Sequence, residues 1–266
     1  MNLFDSAYIT KQLQQINTSL SESIDLYIFG GGAMSYYGLK TATKDIDVLL
    51  TSNDAASSLS TALQRLGYKN TEEKDEIYIK MKTRAIIENT DGFRWDIFVH
   101  KICGGLRFST GMQQRANAFT TYTKLRTFLL SPEDIFILKA VTSRPRDRED
   151  MFSLFSHGLD ISIIKQEIIK QTQYDKERAW LSYFFIGLDE LVQEYHVKFP
   201  EYKEFLRLAE EEMIESLIIE FIQRKPRTLN QISSLLKINK KELQPILDEY
   251  IKKDKIKHIH GKYHLK

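Results

Sequence analysis

The feature that most restricts this chain is a glycine triplet set directly behind a short apolar run. Ile24 to Phe29 reads Ile-Asp-Leu-Tyr-Ile-Phe, Gly30-Gly31-Gly32 follows, and Ala33 to Tyr37 begins a short helix. β-Branched and aromatic residues at that density favour an extended strand, and a run of glycines ends it by removing side chains from the turn. A second strand, Asp45-Ile46-Asp47-Val48-Leu49-Leu50, comes shortly after. Asn53 to Leu66 reads as an amphipathic helix closed by Gly67. Residues 77–88 and 93–99 read as further strands, joined through an Asn89-Thr90-Asp91-Gly92 turn. Strands interleaved with helices make this part α/β or α+β around a mixed sheet.

From Ser131 onward the periodicity becomes helical. Ser131-Pro132-Glu133-Asp134 is a helix start: Ser caps, Pro suits the first turn, and Asp134 can reach back to the cap amide. That helix stops or kinks at Pro145, a second runs through Asp147 to Phe155, and more cover roughly residues 161–195 and 201–224. The tail reads as helices over 211–224, 228–236 and 240–253, followed by a hairpin around Gly261. That order resembles a winged helix-turn-helix. The expected organisation is a core over 1–130, a helical region over 131–210 completing the site, and a winged helix over 211–266.

Composition limits the class. With 42% hydrophobic and 28% charged residues the chain reads as an ordinary globular protein, and its apolar runs are too short to cross a membrane. A lone cysteine, Cys103, excludes an internal disulfide and fits a reducing cytoplasm. The net charge of +2 hides an asymmetry: residues 224–266 hold 12 Lys and Arg against 4 Asp and Glu, a surplus of +8 on an acidic body. Such a tail points to a polyanionic partner, with Lys252, Lys253, Lys255, Lys257 and Lys262 as candidate nucleic-acid contacts. His258, His260 and His264 alternate on the hairpin, but with no Cys nearby a solvated wing is the better reading.

The chemistry concentrates in three acids. Asp45 and Asp47 stand two apart on a strand, so they share a face roughly 6–7 Å apart and repel unless a cation lies between them. Asp96 sits within the otherwise apolar Phe93-Arg94-Trp95-Asp96-Ile97-Phe98-Val99, where an unpaired charge is expensive. Three such carboxylates on adjacent strands suit hard divalent ions such as Mg2+ or Mn2+. The glycines leave bare backbone for a phosphate to approach.

The stretch from Phe29-Gly30-Gly31-Gly32 to Lys40-Thr41-Ala42-Thr43-Lys44-Asp45-Ile46-Asp47, with Asp96 beyond it, resembles the signature of the polymerase-β-like nucleotidyltransferase superfamily. A second stretch, from Ser131-Pro132-Glu133-Asp134 through Lys139 to Arg144-Pro145-Arg146-Asp147-Arg148-Glu149-Asp150, looks like the helical motif of the branch containing AbiEii-type toxins. The resemblance implies transfer of a nucleoside monophosphate from a triphosphate to an acceptor hydroxyl, with two Mg2+ (or Mn2+) ions on Asp45, Asp47 and Asp96. It implies that Gly30 and Gly31 meet the triphosphate and that Lys139 grips phosphate. Lys40 stands where relatives often carry Arg, keeping charge but losing the bidentate fork. Arg144, Asp147 and Asp150 are secondary candidates, since a mixed run of this kind is more often a solvated or ion-pair face. The branch suggests the end of transfer RNA as acceptor, a toxin–antitoxin or phage-defence setting, and an antitoxin-like protein partner. Two rivals are nucleotidylation of a protein hydroxyl and a catalytically silent DNA-binding regulator.

Overall fold

The apolar run ahead of the glycines forms strand β1 (Ile24–Phe29), in which only Asp25 falls short of full burial. The structure, a computed structural model, describes residues 3–71, 83–175 and 178–266. It divides into two units, residues 1–200 and 201–266.

The first unit is built on a seven-stranded mixed sheet. In chain order its strands are β1, β2 (Asp45–Leu50), β3 (Lys69–Asn70), β4 (Ala85–Glu88), β5 (Arg94–Val99), β8 (Asn117–Thr121) and β9 (Leu125–Leu129), arranged β3-β4-β5-β2-β1-β9-β8. Strand β1 runs antiparallel to β2 and parallel to β9, and β2 runs parallel to β5. A small hairpin of β6 (Lys101–Ile102) and β7 (Leu106–Arg107) lies outside this sheet. Of the strand expected over 77–88, residues 77–82 lie outside the described residues, and the rest supplies β4. The β4–β5 hairpin turns at Asn89, whose side chain accepts from the amides of Asp91 and Phe93 at 3.0 and 2.9 Å.

Helix α1 (Ser6–Ser19) is capped by Asp5 and packs against α3 (Asn53–Arg65), which Ser52 caps. Both bury an apolar stripe, Ile9, Leu13 and Ile16 on one and Leu59 and Leu63 on the other. Burying each such side chain is worth about 1.5–3 kcal/mol. Between β1 and β2 the structure corrects the sequence reading. The glycines are not a loop ahead of a helix; helix α2 (Gly30–Tyr36) begins on Gly30 itself. Gly30 has φ +60°, which lets the chain leave the strand and turn at once.

The short helix α4 (Thr110–Arg115) precedes β8, and four helices follow the sheet: α5 (Pro132–Ala140), α6 (Pro145–His157), α7 (Ile161–Tyr174) and α8 (Trp180–Tyr195). Ser131 caps α5 as expected, but Asp134 accepts from the Ser131 hydroxyl at 3.0 Å where a bond to the cap amide was anticipated. Helices α5, α6 and α8 pack on one another, and α5 also meets α7 and α2. Residues 1–200 therefore form one unit across the expected 130/131 division.

The second unit starts at Glu201, ahead of the expected 211, because α9 (Tyr202–Arg224) runs without a break through that position. It continues with α10 (Leu229–Leu236), α11 (Lys240–Lys252) and a hairpin of β10 (Ile256–Ile259) and β11 (Lys262–Leu265). A capping box between Thr228 and Gln231 fixes the start of α10, and Lys237 in the left-handed region (φ 56°) turns the chain after it. The core gathers Ile218, Ile222, Ile232, Leu243, Leu247, Tyr250, Ile256 and Tyr263. A bridge between Arg227 and Tyr263 ties the hairpin to the α9–α10 connection. Among the described residues, no helix is long and apolar enough to cross a membrane.

Candidate active site

Parallel pairing of β2 with β5 places Asp45 beside Arg94 and Asp47 beside Asp96. Register partners and residues two apart share a face, so the four side chains stand together on one side of the sheet. Antiparallel pairing of β1 with β2 sets Phe29 beside Asp47, which brings the glycine turn to the same place. The fit there is tight. A Cβ on Gly30 would collide with Asp47 Oδ2, and one on Gly31 would lie 2.9 Å from Thr43 Oγ1. Thr43 donates to the Asp45 carbonyl at 2.9 Å and bonds through its backbone to Phe4, which pins the loop before β2.

Arg94 was not a candidate in the sequence reading. Its Nη2 donates to Asp45 Oδ2 at 2.6 Å and to Asp96 Oδ2 at 3.2 Å, while Nε lies 2.9 Å from Asp96 Oδ1. The signal was present: Arg94 precedes Asp96 by two residues, so strand alternation already put it on the acidic face. Asp47 forms no ion pair among the described residues. Burial, then the charges of Asp45 and Asp96, hold its carboxyl well above the usual carboxylate range. Asp96 is only 3% exposed, and burial pushes it up to about 7 against the opposing pull of Arg94.

A second charged group lies on α5 and α6. Lys139 Nζ contacts Asp147 Oδ1 at 2.8 Å and Asp150 Oδ2 at 2.7 Å. Lys40, from the loop before β2, reaches Asp150 Oδ1 at 2.8 Å, so the two candidate phosphate lysines meet on one carboxylate. Arg144 Nε donates to Asp147 Oδ2 at 2.9 Å, and Thr142 donates to the same oxygen. Burial works against the Lys139 charge, but Asp147 and Asp150 outweigh it and raise its pKa. Burial likewise opposes the Asp147 charge, and Lys139 and Arg144 overcome it and lower its pKa. Asp147 and Asp150 are buried while Arg146 and Glu149 are exposed, so the run after Pro145 carries the ion-pair face that its mixed charges suggest. Lys139 and Arg144 also act on Asp47, lowering it by less than burial and the other carboxylates raise it. Cys103 feels this group: burial pushes its thiol up to about 12, with the Arg144 charge the strongest opposing influence.

Three carboxylates on neighbouring strands are the donor set a hard divalent ion takes. Asp47, half-buried and in no ion pair among the described residues, suits one. Yet among the described residues no three His, Cys, Asp or Glu side chains gather as a metal-binding cluster. Asp45 and Asp96 both pair with Arg94.

The tail lysines lie in the second unit. Lys253 pairs with Glu249 at 2.5 Å and Lys255 with Glu215, whereas Lys252, Lys257 and Lys262 are exposed.

A family model described as "Nucleotidyltransferase of unknown function (DUF6036)" matches residues 7–196. That span holds the sheet, the glycine turn, Asp45, Asp47 and Asp96, and the helices bearing Lys139 and Asp150. No curated protein matches the chain. With most of its length aligned to that model, the chain belongs to the DUF6036 family of nucleotidyltransferases.

Proposed function

We propose that the protein moves a nucleoside monophosphate from a nucleoside triphosphate to an acceptor hydroxyl, the hydroxyl oxygen attacking the α-phosphate and pyrophosphate leaving, and that it depends on divalent metal to do so. The observation that carries this reading is the seating of Asp47 between Gly30 and Asp96, with Asp45 on the same face. Asp45, Asp47 and Asp96 would hold Mg2+ or Mn2+, whose chemistry is to neutralise phosphate charge and lower the pKa of a coordinated hydroxyl. Gly30 and Gly31 present bare backbone to the phosphates. Lys40 and Lys139 bind phosphate oxygens in exchange for Asp150 and Asp147. Asp96, beside Asp47 on this face, would help take the proton of the attacking hydroxyl. Most of the rate comes from positioning and charge neutralisation, as in phosphoryl transfers generally.

The second unit supports nucleic acid as the acceptor. Three helices and a two-stranded hairpin around one core suit a winged helix, with α11 and the hairpin as the contact elements. Together with the AbiEii-like helical motif, this favours RNA, transfer RNA included, and a toxin role. The pairing of Lys253 and Lys255 within the unit reduces the free charge and favours the rival reading, transfer to a protein hydroxyl. Incubation with each α-labelled triphosphate, Mg2+, cellular RNA and cellular protein separates the two. Label in RNA supports the proposal, label in protein supports the rival, and label in neither overturns both.

A further inference from the structure

Residues 45, 47, 94 and 96 form a square of three carboxylates and one guanidinium on two parallel strands. The guanidinium is shared unequally. It forks across both oxygens of Asp96 and reaches Asp45 Oδ2 at 2.6 Å, while Asp47 makes no ion pair among the described residues. Arginine is suited to such a role, because its planar fork matches a carboxylate and it stays charged at any relevant pH. Asp45 is thus occupied by a protein cation in the free enzyme, and Asp96 is held by its fork in register with Asp47.

We propose that Arg94 is a positioning residue and the resident counter-ion of the acidic site: it fixes Asp96 and occupies Asp45 until a divalent cation arriving with the triphosphate displaces it there. This rests on the nucleotidyltransferase reading. Metal alone must compete with a guanidinium already attached to the strand. Metal together with triphosphate brings its own oxygen ligands and offers Arg94 a new anion, so each tightens the binding of the other.

The test uses the full chain and titration calorimetry with Mn2+, alone and with the unreactive α,β-methylene analogues of the four common triphosphates. In the wild type, Mn2+ alone binds weakly, and the preferred analogue tightens it by about tenfold or more, the usual scale of a coupling between two sites. Arg94→Gln binds Mn2+ alone about tenfold tighter than the wild type, loses most of the coupling, melts lower without metal and recovers with it. Arg94→Lys falls between the two. If Arg94→Gln does not fold without metal, the double variant Asp45→Asn/Arg94→Gln restores the charge balance, folds, and shows none of the gain in Mn2+ affinity. Equal Mn2+ affinity in Arg94→Gln and the wild type, with coupling intact in both, overturns the proposal and leaves the nucleotidyltransferase reading standing. Failure of both proteins to bind Mn2+ or any analogue overturns that reading as well.

Discussion

Two charged groups meet in the first unit, and they are built on opposite principles. Around α5 and α6, Lys139, Lys40 and Arg144 face Asp147 and Asp150 in ion pairs of 2.7–2.9 Å. Each charge there stabilises its partner: Lys139 is raised and Asp147 lowered, although both are buried. On β2 and β5, Asp45 and Asp96 share one guanidinium, Asp47 is in no ion pair among the described residues, and Asp47 and Asp96 are pushed up instead. The self-neutralised group holds the fold together, and in the proposed reaction phosphate competes with Asp147 and Asp150 for Lys40 and Lys139. An under-neutralised one stores unfavourable charge that a ligand can relieve, which is how functional sites commonly differ from structural ion pairs.

Breaking the balanced group has the largest expected effect on stability. Lys139→Met leaves Asp147 and Asp150 buried with less compensation, and loss of one partner from a buried pair costs about 3–5 kcal/mol. Chemical denaturation measures it, and a loss under about 1 kcal/mol would show that Lys40 and Arg144 suffice for Asp147 and Asp150.

The acidic group responds in the opposite sense. Asp47→Asn removes a charge the fold disfavours, so the metal-free protein melts at a higher temperature while nucleotide transfer falls by at least about a thousandfold, roughly 4 kcal/mol of barrier. A variant that is both less stable and fully active would remove Asp47 from the site.

The pH dependence sharpens the contrast further. A carboxyl near 4 in the unfolded chain and near 7 in the folded one binds its proton more tightly when folded. Stability from Asp96 is therefore lost as pH rises from about 4 through about 7, and is flat above that range. Melting of the metal-free protein between pH 5 and pH 8 should show this decline, and Asp96→Asn should make it shallower, with Asp47 supplying the part that stays. A wild-type curve that rises across that window would contradict the under-neutralised account.

The smallest effect concerns the second unit. With Lys253 and Lys255 paired internally, Lys252, Lys257 and Lys262 remain to meet phosphates. Three contacts give a log–log salt slope of roughly −3 for duplex binding. Replacing these three by Gln should flatten it, and a slope near −5 would mean the ion pairs open on binding.

Much of this was legible in the chain, for identifiable reasons. Strand alternation places Asp45 and Asp47 on one face without any structure, and caps such as Ser131 and Thr228 mark helix starts locally. The role of β9 was hidden. Nothing in Leu125 to Leu129 says that this segment lies beside β1, some hundred positions away in the chain. The ion pairs of Lys139 and Lys40 were equally invisible, because they depend on helices returning to the edge of the site. Arg94 was the avoidable omission, since the alternation that identified Asp96 applies to it unchanged.

The absence of a side chain at position 30 also has a practical use. A single methyl there would meet the Asp47 carboxylate on a backbone already at φ +60°. Gly30→Ala therefore perturbs the acidic face while deleting none of its functional groups. In a cellular assay it would serve as a null allele with the full set of ionisable residues, separating what the reaction does to a cell from what the bare charges do by binding nucleotides or ions.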